Sequence, residues 1–259
     1  MTYRAVETLA MVDFIAAEDT RHSRGLLQHY SIRSPVTAYH EYNEPQKTKV
    51  LITRLLSGKS IALITDAGTP LVCDPGYRLI QAAHKQGILV SPIPGCCAAV
   101  AALSVAGLSI DRFAFEGFLP NTAQARRRKL EQLTQEPRTL VFYESAHRIV
   151  ETLTDLLHVF GPDRQAALAR EITKQFETIE KGTLARIHQF VCNDPIQQKG
   201  EFVLLVQRQA VPADVTGEIL TVLRPLMGVM RLKQAVDLTA EITGKPKNEI
   251  YRLALEQKI

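Results

Sequence analysis

At 259 residues, with 46% apolar and 22% charged side chains, the chain is long enough for two globular domains, and no apolar run approaches the roughly 20 residues a membrane span needs. Its formal net charge of +4 permits an anionic partner such as RNA without demanding one. The four cysteines, Cys73, Cys96, Cys97 and Cys192, form neither a C-x-x-C pair nor a His/Cys cluster at zinc spacing, so no metal site or disulfide framework is signalled and reduced, mostly buried thiols are expected.

The first residues carry no signal-peptide apolar core, which makes cytoplasmic residence the default expectation. Residues 2–11 read as a helix with Thr2 as N-cap. The apolar run 12–17 is a strand ending in Glu18-Asp19-Thr20-Arg21-His22, and a helix follows over 20–30. A short strand at 35–39 ends in His40-Glu41-Tyr42-Asn43-Glu44, and a helix over 45–56 closes at Ser57-Gly58.

Residues 60–76 carry the densest signal. Residues 61–64 are a short apolar run of the kind a parallel strand shows when both faces of its sheet are covered. The run stops in Thr65-Asp66, then Gly68, Thr69-Pro70 and Asp74-Pro75-Gly76. Such a strand delivers two carboxylates and a glycine-permitted turn to the sheet edge where open α/β sheets bind ligands. An ordinary loop rich in turn formers is the competing reading. A helix over 76–86 ends at Gly87, a strand is expected at 88–93, and Pro94-Gly95 precedes a small-residue helix over 97–106. Strand and helix alternate throughout, which argues for a parallel sheet covered by helices. Four strand ends gather carboxylates, histidines and an arginine, more than turns alone require.

Near residues 107–112 the pattern restarts. Strands are expected at 113–118, 138–143, 165–170 and 201–207, and helices at 122–135, from 149 to 160, and at 183–192. The helix at 122 carries Arg126-Arg127-Arg128-Lys129, which reads as an RNA-phosphate dock or as a solvated face. From Pro212 the texture becomes purely helical, with segments at 215–226, 232–242 and 248–256 parted by Gly228 and Thr243-Gly244-Lys245-Pro246. The division expected is an N-terminal α/β domain at 1–108, a second α/β domain at 109–211 and a helix-turn-helix-like module at 212–259.

No Walker-type loop and no G-x-G-x-x-G after a strand are present, which disfavours nucleotide hydrolysis and hydride transfer. His84, His158 and His188 sit within helical patterns as surface or filler residues.

The composite of Ala16-Ala17-Glu18-Asp19-Thr20-Arg21-His22, Asp66-Ala67-Gly68-Thr69-Pro70, Asp74-Pro75-Gly76, Pro94-Gly95, Glu116-Gly117-Phe118-Leu119-Pro120, Phe142-Tyr143-Glu144-Ser145, His147-Arg148, Ala169-Arg170-Glu171 and Lys199-Gly200-Glu201 resembles the bacterial ribosomal RNA small-subunit methyltransferase I family, within the tetrapyrrole methylase superfamily. The resemblance implies two α/β domains with S-adenosylmethionine in the cleft between them, a small C-terminal helical domain, and a homodimer. It implies 2′-O-ribose methylation of cytidine 1402 in the decoding centre of 16S rRNA, on free rRNA or the 30S subunit. By motif, Asp66, Gly68, Thr69, Pro70, Leu71, Val72, Cys97, Ala98, Tyr143, Glu144 and Phe202 resemble the superfamily's cofactor contacts.

A ribose hydroxyl attacks a sulfonium methyl only when its proton is removed or shared. Glu18, Asp19, Glu144, Glu171 and Lys174 stand at the strand ends; Glu18 ranks first as base, with Arg21 orienting phosphate and Lys174 as an alternative. The competing readings are a tetrapyrrole methyltransferase and a cofactor-free RNA-binding or assembly factor. One departure stands out: the family opens with a strand and a turn ahead of the first helix, whereas this chain opens at that helix. That strand belongs between residues 61–64 and 88–93, so the expectation is a chain that begins further upstream, or another element filling the slot.

Overall fold

A computed structural model describes residues 1–208 and 215–256. The chain forms two compact units, Met1–Arg208 and Gln209–Ile259. The boundary expected at residue 212 lies outside the described residues.

The larger unit begins with α1 (Tyr3–Met11), where the Thr2 hydroxyl accepts a hydrogen bond from the Ala5 amide at 3.3 Å. β1 (Phe14–Ala17), α2 (Thr20–His29), β2 (Val36–Ala38), α3 (Glu44–Leu56), β3 (Ile61–Ile64), α4 (Tyr77–Lys85) and α5 (Ala98–Val105) follow. The strands form a wholly parallel sheet in the order β2-β1-β3, with Phe14 opposite Ile61 and Ala17 opposite Ile64. β1 is fully buried at Ile15, Ala16 and Ala17. Leu9, Leu27 and Ile32 cover one face of this sheet, and Tyr39, Leu51 and Leu79 the other. This doubly covered core is what an uninterrupted apolar strand requires.

One expected element is corrected. Residues 88–93 do not form a strand, and Leu89 is 91% exposed. Among the described residues nothing pairs with the outer edge of β3. Extended backbone becomes a strand by sharing a ladder with a neighbour, and this segment has none; its apolar composition cannot substitute for that.

The rest of the unit contains β4 (Phe113–Phe118), α6 (Ala123–Gln132), β5 (Thr139–Ser145), α7 (Ile149–Phe160), β6 (Gln165–Arg170), β7 (Thr178–Thr183), α8 (Leu184–Asn193) and β8 (Glu201–Val206). Its sheet runs β4-β5-β8-β6-β7, parallel only between β4 and β5 and antiparallel elsewhere. The parallel sheet expected from alternation therefore describes the first sheet, not this one. β7 was not legible in the sequence: its half-exposed Thr-Ile-Glu-Lys-Gly-Thr is an edge strand stitched onto β6. Helices α6, α7 and α8 pack one face of the sheet around Phe142, Leu168 and Leu204. α5 covers the other face through Ala99, Ala102, Leu103 and Ala106, which join Val141 and Leu205. A helix that follows the first sheet thus serves as a cover for the second, which binds residues 1–208 into one body.

The C-terminal unit packs α9 (Val215–Met227), α10 (Leu232–Thr243) and α11 (Lys247–Glu256) around Ile219, Leu223, Ala235, Val236, Ile250, Leu253 and Ala254. Gly244, in the left-handed region at φ 68°, ends α10 and lets the chain turn into α11.

Candidate active site

The loop between β3 and α4 is built under strain. Leu71 and Cys73 adopt φ of 73° and 69°, a region that costs a non-glycine residue about 1–3 kcal/mol. Gly76 is indispensable to this course, since a Cβ there would lie 2.6 Å from the Leu63 side chain and 2.8 Å from Leu71. Buried Glu44 holds the turn by accepting from the Gly76 amide at 2.6 Å, and the Thr69 hydroxyl donates to the Cys96 carbonyl at 3.0 Å. The ends of β1 and β3 are cross-stitched. The Asp66 amide donates to Glu18 Oε2, and the Asp19 amide to Asp66 Oδ1, both at 3.3 Å.

This loop walls a cavity of about 340 Å³, within the size range of small-molecule sites. Ala67, Gly68, Thr69, Val72, Cys73 and Asp74 come from the loop, Cys97 and Ala98 from the start of α5, and Phe118 from the end of β4. Tyr143, Glu144 and Ser145 come from β5, Ala169 and Ile172 from β6 and just beyond it, and residues 200–203 from the start of β8. The Tyr143 hydroxyl accepts from the Ala99 amide at 3.2 Å, and Phe115 and Phe118 meet its ring edge-on at 4.9 and 5.7 Å. Burial pushes this phenol up to about 12, so it stays protonated at neutral pH. Burial, then the neighbouring charges of Glu18 and Asp66, push the Asp74 carboxyl up to about 6.

Of the residues expected at the cofactor site, Gly68, Thr69, Val72, Cys97, Ala98, Tyr143, Glu144 and Phe202 line this cavity. Asp66 and Pro70 line an adjoining groove of about 550 Å³ that runs along the open edge of β3 to residues 93–96. Leu71 lines neither. The cavity combines apolar walls from Val72, Phe118, Ile172 and Phe202 with polar side chains such as Thr69, Asp74 and Ser145, a mixture compatible with a cofactor that has an apolar ring and charged ends. Glu144 is not one of its free anchors. Its carboxylate accepts from the Ser145 amide at 2.8 Å and the Thr152 hydroxyl at 2.6 Å, and pairs with Arg148 at 3.3 Å. At Gly68 a Cβ would meet only the Cys96 carbonyl, at 4.0 Å, so its φ of 76° rather than crowding asks for glycine.

Several readings of charged groups change. Lys174 is held between Glu171 at 2.8 Å and Glu201 at 2.9 Å, and hydrogen bonds to these carboxylates raise its pKa. This two-carboxylate grip favours the charged ammonium over the free amine. Glu18 sits beside the cavity but does not line it. Arg21 is exposed and pairs with Asp19 at 3.0 Å, holding that carboxyl at about 2. The cationic run at 126–129 is not one RNA-facing patch. Arg126 is 1% exposed and pairs with Asp155 at 2.6 Å and Glu151 at 3.3 Å; Arg127 also pairs with Asp155, and Lys129 with Glu116 at 2.8 Å. Arg128 alone of the four is exposed and without an ion pair among the described residues. Nor are the thiols mostly buried: Cys73, Cys96 and Cys192 are exposed. Sequence reasoning missed Asp74, Phe118, Ile172 and Glu201 as lining residues, although Asp74, Phe118 and Glu201 stood in motifs already quoted.

A family model for tetrapyrrole (corrin/porphyrin) methylases matches residues 1–188. The chain belongs to that family. A second model, the RsmI C-terminal HTH domain, matches residues 213–258 of this methylase. It is 49% identical over 258 residues to the ribosomal RNA small subunit methyltransferase I of Pseudomonas aeruginosa, covering 98% of this chain and 92% of that protein. To the protein of the same name from Escherichia coli O157:H7 it is 47% identical over 259 residues, covering 100% and 91%. Among solved structures, a diphthine synthase aligns with a TM-score of 0.62 at 14% identity over 81% of this chain and 84% of that one. The methyltransferase CobJ aligns with a TM-score of 0.57 at 19% identity, over 81% and 89%. These two likenesses establish the methylase fold. Among the described residues no helix is long and apolar enough to cross a membrane, and no cluster of three or more His, Cys, Asp or Glu could hold a metal ion.

Proposed function

We propose that this methylase transfers a methyl group from S-adenosylmethionine to the 2′-hydroxyl of cytidine 1402 of 16S rRNA, acting in the cytoplasm as a homodimer. The observation that carries the reading is the cavity where the strained loop, the starts of α5 and β8 and the ends of β4 and β5 converge, in a chain whose relatives are named for small-subunit rRNA methylation. The C-terminal match to a helix-turn-helix model favours RNA over a porphyrinoid acceptor.

S-adenosylmethionine supplies an electrophilic methyl on a sulfonium. The protein's part is to orient and to take a proton. Gly68, Thr69 and Ala98 offer backbone-rich walls, and Tyr143, Phe202 and Val72 offer apolar ones. Positioning of this kind accounts for much of the acceleration of an in-line displacement. Asp74 is the best-placed proton acceptor, because it lines the cavity and its carboxyl, pushed up to about 6, is ionised at pH 7 yet more basic than an ordinary aspartate. The test is transfer of labelled methyl to purified 30S subunits followed by mapping of the modified nucleotide. Label on a base, on another nucleotide, or only on small molecules would overturn the reading.

A further inference from the structure

The C-terminal unit carries a surface that the methyl-transfer site does not use. Its core consumes Ile250, Leu253 and Ala254 of α11, which leaves Lys247, Asn248, Tyr251 and Arg252 exposed on the helix's opposite side. The spacing is helical: Lys247 and Tyr251, like Asn248 and Arg252, stand four residues apart and share a face. The N-terminal turn of α10 lies against that face, and a groove runs between them, lined by Arg231, Lys233, Asp237, Lys247, Asn248 and Tyr251 among others.

The groove's charge is unbalanced. Three cations face a single carboxylate, Asp237, which Lys247 engages at 2.7 Å. Hydrogen bonding to Lys247 and the field of Lys233 hold the Asp237 carboxyl below the usual range, so it stays ionised and satisfied within the protein. Arg231 and Lys233 remain as surplus positive charge. Arg231 and Lys233 are both exposed. Tyr251 is 45% exposed, a large ring left in solvent beside two cations and an amide. Cations for phosphates, an aromatic face for an unstacked base and an amide for a base edge are the set that unpaired RNA requires.

We infer that the groove between α10 and α11 binds a single-stranded segment of the RNA substrate, with Arg231 and Lys233 on phosphates and Tyr251 stacked on a base. The inference rests on the reading of the acceptor as RNA. It assigns recognition to the C-terminal unit rather than to the cationic run of α6, whose members are mostly engaged within the protein.

The test uses the full chain and a fluorescein-labelled single-stranded RNA of about 20 nucleotides, longer than a typical single-strand site. Replacing both Arg231 and Lys233 by Gln is expected to weaken binding about tenfold at 0.1 M salt and to reduce the log-log salt slope by about 1.4, the value for two phosphates on a single strand. Tyr251→Ala is expected to weaken binding about 5- to 150-fold, the range for one lost stacking contact, and Tyr251→Phe to stay near the parent. All substituted side chains are exposed, and an unchanged melting temperature confirms that each variant folds. Unchanged affinity and salt slope in the double variant, or equal loss in Tyr251→Ala and Tyr251→Phe, overturns the assignment. Calorimetry with S-adenosylmethionine separates the two proposals. If the cofactor fails to bind while the RNA effects appear, the methyl-transfer reading falls and the groove stands; if the cofactor binds and the RNA effects are absent, the reverse holds.

Discussion

The two sheets of the larger unit solve the same problem unequally. In the second sheet every central strand has neighbours on both sides, and β6 and β8 are buried along all but their first residue. In the first, only β1 is flanked on both sides; β3 is partly exposed along its whole length, and residues 88–97 run beyond it without a ladder. The inner strands of both sheets are apolar runs of similar character. What separates them is whether a partner strand is present, and the cavity lies where the well-supported sheet meets the loop that leaves the poorly supported one.

The largest expected effect breaks the strong side. Phe142→Ala, at a fully buried position of the second sheet, should cost about 3–5 kcal/mol in urea unfolding. Leu63→Ala on β3 should cost less than about half of that, because the side chain is already partly in solvent. Equal costs would show the sheets to be equivalent.

Next in size is the ion cluster that fastens α6 to α7. Asp155→Ala leaves Arg126 buried with only the more distant Glu151, and a loss of about 3 kcal/mol is expected. Replacing Arg126 and Asp155 together by Met and Leu should recover most of it. A double variant no more stable than the single one would mean that the charges are not what the site depends on.

Hydrogen exchange sharpens the comparison directly. The carbonyls of Ser60 and Ile64 accept from β1, so in a parallel ladder the amides of Ile61 and Leu63 point the other way, to the open edge. They should exchange about a hundredfold or more faster than those of Val203 and Leu205 in β8. Adding a strand-length segment ahead of residue 1 is expected to narrow this gap if it settles against β3; unchanged rates would show that it does not.

The smallest effect concerns Asp74. Its carboxyl is raised to about 6 in the folded chain against 3.8 unfolded, so the native state binds the extra proton and stability falls as pH rises from about 4 to 6. Asp74→Asn removes that penalty. The variant should melt about 2–4 °C above the parent at pH 8, a gain of at most about 1 kcal/mol after allowing for exposure, and the difference should vanish by pH 4. In the same variant methyl transfer should fall while cofactor affinity holds. A pH-independent difference in melting would show that the carboxyl is not perturbed.

What the sequence by itself determined were the properties that short stretches encode. The Thr2 cap, the run Ile61–Ile64, the Asp74-Pro75-Gly76 turn and the three C-terminal helices follow from hydrophobic period, turn chemistry and capping, each settled within a few residues. Strand ends and turn formers showed where the sheet opens, while the individual residues expected at the site, Gly68, Thr69, Tyr143 and Phe202 among them, came through the resemblance to a known family. The tertiary structure alone decided which segments meet. Residues 88–93 look like a strand and are not one, because a ladder needs a second chain segment that composition cannot supply. Arg126 looks like part of a surface cation run and is buried, because Asp155, 29 residues away, compensates its charge. Lys174 reads as a lone cation in the sequence and is gripped by Glu171 and by Glu201, the second of which only the folding of β8 beside β6 brings to it. Pairing and charge compensation are long-range by nature, and one-dimensional order holds them only implicitly.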